Sequence, residues 1–316
     1  LILHLIVILG SCNLEKNIIS YKLHYNFIEM TKKAGIPNQS LQIPKVITRT
    51  AKLLQAISPK LATLFAAKLF TTPLKHSIPQ RELYMEKNSK QQKLWVPKIN
   101  KTINMYHYGE SEHKVLLVHG WSGRGTQLFK IADTILQKGF STISFDAPAH
   151  GKSRSKTTLL PEFVASILEI EKQFGPFEFA IGHSLGGMSV LNAIKEGLSI
   201  KKAVIIGSGD IIQDILDDFV LKLELKPETA SMMKAHFEKK FGVEMEKYSA
   251  SFAAKSVEIP VLIIHDEHDD EIAVKAAHNI HRNLIKGEII ITEKLGHRKI
   301  LGDKKVIETM LNFISN

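Results

Sequence analysis

The sequence predicts an α/β protein: a mostly parallel central sheet with helices on both faces and a small helical cap insertion. Three observations predict it. In the last two-thirds of the chain, short apolar runs alternate with stretches of helical periodicity. Several of these runs, such as Val115-Leu116-Leu117-Val118 and Val261-Leu262-Ile263-Ile264, are apolar at every position, as strands covered on both faces must be. Between two of the strands lie about fifty residues, 210–259, with helical patterning and charge but no strand signal, longer than an ordinary connection.

In chain order, Leu1 to Leu9 is apolar apart from His4, and Leu9-Gly10-Ser11-Cys12 is similar to a lipoprotein cleavage box. No basic segment precedes it and the run is short for a signal core, so Met30 reads as a start and residues 1–29 as a disordered or non-native extension. Residues 30–92 read as a basic helical arm. From Lys45 to Phe70 the apolar residues Val46, Ile47, Leu53, Leu54, Ile57, Leu61, Leu64, Phe65, Leu69 and Phe70 recur at helical spacing. Ser58-Pro59 divides the run, as an N-cap followed by proline at the first helical position would. Apolar stripes of this kind are expected to pack on the body of the protein. The basic residues among them leave a peripheral membrane contact through residues 45–70 as the alternative.

Residues 93–316 form the expected sheet domain. Strands are predicted at Lys93–Val96, Thr102–Tyr108, Val115–Val118, Thr142–Phe145, Phe177–Ile181, Ala203–Ile206, Val261–Ile264 and Ile289–Thr292. Helices are predicted around 127–138, 159–173, 185–196, 273–284 and 304–314. The 210–259 insertion is placed to cover the carboxyl edge of the sheet, where open α/β folds put their ligands.

The net charge of +10 is uneven: residues 1–101 hold sixteen Lys/Arg and four Asp/Glu, and the remainder twenty-six and twenty-eight. No recognition motif or aromatic interleaving accompanies the basic part, which argues against a nucleic-acid partner. A membrane surface, or the acidic remainder of the same chain, fits better. The single cysteine, Cys12, excludes an intramolecular disulfide and favours a cytoplasmic protein, with a secreted or lipidated one as the minor alternative. No run reaches the length of a membrane-spanning helix.

Gly182-His183-Ser184-Leu185-Gly186 follows a predicted buried strand and precedes a predicted helix. In that context a G-x-S-x-G match reads as a nucleophile elbow. The glycines allow strand and helix to approach, Ser184 is presented at the top of the sheet, and the Leu185 N–H opens a helix where it can face an oxyanion.

At these residues the chain resembles the α/β-hydrolase superfamily, over about residues 93–316. Leu117-Val118-His119-Gly120-Trp121 is similar to the family's turn after the third strand, which implies the Trp121 N–H as second oxyanion donor. Phe145-Asp146-Ala147-Pro148-Ala149-His150-Gly151-Lys152-Ser153 is similar to its turn after the fourth strand, with Asp146 and His150 as turn-formers. His265-Asp266-Glu267-His268-Asp269 resembles the segment after the seventh strand that carries the acid, with Asp266 where the family has glycine, and so implies Asp269. Gly296-His297 resembles the turn that carries the base. The resemblance implies a Ser184–His297–Asp269 triad that cleaves a carboxylic ester or related acyl compound through an acyl-enzyme, with a small-molecule partner and neither cofactor nor metal. Asp210, after the sixth strand, competes for the role of acid, although an N-cap at the start of the insertion is sufficient reason for an aspartate there. Acyl transfer on the same scaffold, a non-catalytic membrane-associated scaffold, and a metal site in the cluster from His265 to Asp270 are the rival readings.

Overall fold

The computed structural model describes residues 43–315, so the readings of residues 1–29 and of the first part of the 30–92 arm lie outside the described residues. Two helices open it, α1 (Lys45–Ile57) and α2 (Pro59–Phe70). Ser58 between them has extended backbone and Pro59 takes the first helical position, but the serine hydroxyl caps nothing. Its N–H closes α1 by donating to the Leu54 carbonyl. The break therefore comes from the proline, which cannot continue α1, and not from a serine cap.

The sheet domain follows α3 (Leu83–Asn88) as β1 (Lys90–Val96), β2 (Lys101–Tyr108), β3 (Lys114–Val118), α4 (Phe129–Gln137), β4 (Ser141–Asp146), α5 (Leu160–Phe174), β5 (Phe179–His183) and α6 (Leu185–Lys195). It continues through β6 (Lys202–Ile206), α7 (Ile212–Lys222), α8 (Glu228–Phe241), α9 (Ala250–Ala254), β7 (Val261–Asp266), α10 (Lys275–Asn283), β8 (Gly287–Thr292), α11 (Gly296–Lys299) and α12 (Lys304–Ser315). All eight expected strands form. β1 begins at Lys90, so the boundary placed between residues 92 and 93 falls within a strand. Its first half is exposed and polar, leaving no apolar alternation to read. β5 begins two residues later than expected and extends to His183, next to the elbow.

The strand order is β1-β2-β4-β3-β5-β6-β7-β8. β2 pairs antiparallel with β1 and β4, and every other pair is parallel. From β3 the chain first adds β4 on one side and then crosses to β5 on the other, so the order reverses between β3 and β5. The carboxyl ends of these two strands border the crevice where such sheets bind ligands. Alternate strand residues feed two cores: Leu116 and Val118 pack with Phe163, Ile167 and Val190, whereas Val115 and Leu117 pack with Ile131, Ile135 and Met310. Each fully buried residue of this size contributes about 1.5–3 kcal/mol.

The 210–259 insertion has helices as its regular elements, with no strand, and its α8 packs on α2. The Gln55 amide donates to Thr229 Oγ1 at 3.0 Å and accepts from the Lys226 N–H at 3.1 Å, and Lys52 pairs with Glu224. Phe70, the last residue of α2, contacts Phe219 of α7 edge-on, with ring centroids 5.2 Å apart, and Phe237 of α8 at 5.9 Å. The N-terminal helices and the insertion thus form one layer. Among the described residues no helix is long and apolar enough to cross a membrane.

Candidate active site

Ser184 lies between β5 and α6 with φ 55° and ψ −121°, a conformation that costs an L-residue about 1–3 kcal/mol. The glycines around it meet a close approach of strand to helix. A Cβ on Gly182 would run into the Gly186 carbonyl, and one on Gly186 into the Val118 carbonyl. At Gly120, in the neighbouring turn, a Cβ would come within 2.8 Å of the Ser184 Cβ. Ser184 is half-buried, and its N–H donates to the Ile206 carbonyl at 2.9 Å.

Two backbone donors meet here. Leu185 N–H opens α6, and Trp121 N–H follows Gly120. Neither has an acceptor among the described residues. The N–H groups that follow Trp121 are occupied, Ser122 donating to His150 Nε2 and Gly123 to the Gly120 carbonyl, both at 3.0 Å. The turn that holds Trp121 is clamped from three sides. His119 donates from Nδ1 to the Gly120 carbonyl at 2.7 Å and accepts the Ala147 N–H at Nε2. Asp146 accepts from the Gly125 and Lys152 N–H groups and from the Tyr106 hydroxyl, so it holds turns, as His150 does. Glu82, buried ahead of α3, accepts from Arg124 Nη1 at 3.2 Å and Thr126 Oγ1 at 2.7 Å. Above the turn, the Trp121 ring stacks on Phe70, with centroids 6.5 Å apart.

His297 is buried on α11, beyond β8. Its Nδ1 lies 2.7 Å from Asp269 Oδ2, and because a carboxylate can only accept, Nδ1 carries the proton and Nε2 presents a lone pair. Asp269 Oδ1 accepts from the Glu271 and Ile272 N–H groups, both at 2.9 Å. Burial raises the Asp269 pKa, but the His297 hydrogen bond and charge outweigh it and hold the carboxyl below its usual value. Gly207 admits the imidazole: a Cβ there would lie 3.3 Å from His297 Nδ1. Since Gly207 directly follows Ile206, which accepts the Ser184 N–H, ring and elbow are neighbours. No described residue makes a hydrogen bond to the Ser184 hydroxyl itself.

Three groups at the site escaped sequence reasoning. His183 donates from Nε2 to the His297 carbonyl at 2.9 Å, with the two rings 4.6 Å apart; burial, and then the charge of His297, push its pKa down to about 3. Glu271 Oε2 lies 4.0 Å from His297 Nε2, and its other oxygen is held by Arg298 Nε at 3.0 Å. His183 and Arg298 adjoin motif residues, and that adjacency was the only signal they offered.

Asp210 stands apart from His297 and needs correction in another respect. α7 begins at Ile212 with Ile211 in the N-cap position, so Asp210 does not cap the insertion's first helix. Its Oδ1 accepts from Ser251 N–H at 2.6 Å, within α9, and its Oδ2 accepts from the Asn279 amide. It therefore ties the far end of the insertion to α10. Asp266, the other aspartate of the seventh-strand loop, accepts from Thr292 Oγ1 and from the His268 and Leu295 N–H groups and so holds the turn that carries His297. His265 donates to the Ile272 carbonyl. Among the described residues no group of three or more His, Cys, Asp or Glu is arranged to hold a metal.

The buried imidazoles carry a pH dependence. Burial holds His150 down to about 4, His183 to about 3 and His119 well below the ordinary value. An unfolded chain takes up a proton on each below about pH 6.5 that the native state refuses. Stability is present above that pH and lost as pH falls. Between about pH 6.5 and 4 the expected loss approaches about 1.4 kcal/mol per pH unit for each ring. Urea unfolding across this range checks it, and a flat profile contradicts neutral burial of these rings.

A family model described as alpha/beta hydrolase fold matches residues 114–232. Among curated proteins none matches. Solved structures that superpose on the chain include an esterase from Pyrococcus furiosus (17% identity, TM-score 0.58, covering 78% of this chain and 96% of that one). A putative lipase from Acinetobacter baumannii aligns at 18% identity and TM-score 0.57, over 76% of this chain and 97% of its own. A bromoperoxidase from Bacillus anthracis aligns at 16% and 0.56, over 72% and 100%. Likeness at such identity speaks for the fold and not for the reaction.

Proposed function

We propose that this chain, which has the alpha/beta hydrolase fold, is a serine hydrolase that cleaves a carboxylic ester or related acyl compound through an acyl-enzyme. The observation that carries this reading is the grouping at one end of the sheet. A strained, half-buried serine lies beside two unengaged backbone N–H donors, next to an imidazole whose Nδ1–H is fixed on a buried carboxylate.

In the proposed reaction Ser184 Oγ attacks the acyl carbonyl carbon while His297 Nε2 takes the hydroxyl proton. The carbonyl oxygen gains the negative charge and receives the Leu185 and Trp121 N–H groups, and Asp269 stabilises the imidazolium. Collapse of the tetrahedral adduct breaks the bond to the leaving alcohol, which takes the proton from His297. Water then adds to the acyl-enzyme, His297 removes its proton, and a second collapse returns the proton to Ser184 and releases the acid.

Incubation of the full chain with a fluorophosphonate probe, followed by peptide mapping, tests the class. Stoichiometric labelling on Ser184 together with turnover of a neutral p-nitrophenyl ester is expected. Absence of labelling on a folded sample rejects the reading.

A further inference from the structure

The outward face of the α1–α2 pair has no part in the chemistry above. The inner face is fixed to the insertion through Gln55, Ala62, Ala66 and Phe70, which presents the outer face rigidly. That outer face exposes five large apolar side chains: Val46 (69% exposed), Leu53 (64%), Ile57 (66%), Leu61 (44%) and Leu64 (41%). Along α1 the spacing 46, 53, 57 keeps one side of the helix apolar. All five charged residues of the pair are basic and exposed, and no acid lies between residues 45 and 70; Lys52 pairs with Glu224, whereas Lys45, Arg49, Lys60 and Lys68 make no ion pair among the described residues. Leu64 and Lys68 also line a groove of about 420 Å³ between α2 and α8, and Lys240 and the half-exposed Phe241 stand on its far side. The same combination of cation and apolar side chain thus continues onto the insertion.

We propose that this face docks on an anionic lipid bilayer. Each competing occupant satisfies only half of its chemistry. A nucleic-acid backbone would match the cations but leave five apolar side chains facing phosphate and water. A second copy in two-fold contact would bury the apolar residues but set the cations of one protomer against those of the other. Residues 1–41 carry four lysines and two glutamates, and so bring no complementary charge. An anionic bilayer satisfies both halves, with headgroups on the lysines and the arginine and the interfacial acyl region on Val46, Leu53, Ile57, Leu61 and Leu64. The inference concerns a surface and does not depend on the reaction at Ser184. If both hold, the face brings acyl esters of the bilayer to the layer that carries Phe70, the ring stacked on Trp121.

Co-sedimentation of the full chain with phosphatidylglycerol–phosphatidylcholine vesicles, and with phosphatidylcholine vesicles alone, tests it. Binding to the anionic vesicles is expected to exceed binding to the neutral ones, and to weaken at least about tenfold when salt is raised from about 0.05 to 0.5 M. The double substitution Leu53→Asp with Ile57→Asp should weaken it at least about a hundredfold. Lys60→Glu with Lys68→Glu should do so through charge alone. Both variants lie on the exposed face, so their melting temperature and their turnover of a soluble ester should match the wild type. Three results overturn the proposal: a wild-type chain that stays in the supernatant with anionic vesicles, a Leu53→Asp/Ile57→Asp variant that binds them equally well, or a wild-type dimer that the same variant converts to monomer. Turnover plays no part in these outcomes, so a failed hydrolase reading and a failed docking reading are told apart.

Discussion

Replacing Ser184 with alanine is expected to lower kcat for ester hydrolysis by about 10⁴-fold or more while leaving the protein folded. The size of the effect follows from the arrangement. In the proposed reaction His297 and Asp269 act on the substrate only through the Ser184 hydroxyl, so removing that oxygen would disable the set and leave only binding and the two N–H donors. Folding should survive and stability should hold steady, because the hydroxyl has no described hydrogen-bond partner to lose and alanine adds no atom to the crowded contact with Gly120. Progress curves with a p-nitrophenyl ester, together with a circular-dichroism melt, check both halves. Residual turnover at a tenth of the wild-type rate, from a cleanly folded variant, would remove Ser184 from the mechanism.

The second large effect is expected at Asp269. Asparagine can keep its carbonyl oxygen on the Glu271 and Ile272 N–H groups, so the loop should survive. It then turns an NH₂ toward His297 Nδ1, a donor facing a donor. The ring answers by moving its proton to Nε2, the nitrogen that accepts from serine in the proposed reaction. A fall of about 10²–10⁴-fold in kcat is expected, with little change in KM. Asp210→Asn is the control, since Asp210 holds Ser251 N–H and Asn279 and makes no bond to His297. That change should cost about 1 kcal/mol of stability and leave kcat essentially intact. The reverse pattern would place the acid after β6 instead of β7.

The sheet was legible in the sequence because most strands carry their own signal: the runs Val115–Val118 in β3 and Val261–Ile264 in β7 are apolar at every position since both their faces are covered. The elbow was legible for a similar local reason, three glycines around one serine at the end of such a run. The choice of Asp269 as the proposed acid was not a local matter. It rested on a resemblance in spacing that picks Asp269 from a loop that also holds Asp266 and Asp270. Least visible were the contacts that join distant segments. Nothing near Phe70 announces that it packs between Trp121 and Phe237, and nothing near Glu82 announces Arg124. Asp210 shows the limit of local reasoning most clearly: a helix-capping aspartate was expected from its neighbours, and it serves a helix some forty residues further on.

The layer made of α1, α2 and the insertion has a consequence for synthesis. The Gln55–Thr229 hydrogen bond spans 174 residues of chain, and Phe70 waits for Phe237. At ribosomal rates of about 5–20 residues per second, roughly ten to thirty seconds separate the appearance of the first partner from that of the second. During this interval the inner apolar faces of α1 and α2 lack the insertion helices that cover part of them in the finished fold, and a basic, apolar helix pair stands partly open on the nascent chain. The earliest of the described helices to be made is thus among the last to find its place, and the chain is exposed to chaperones and to premature association over a period fixed by where the insertion sits in the sequence.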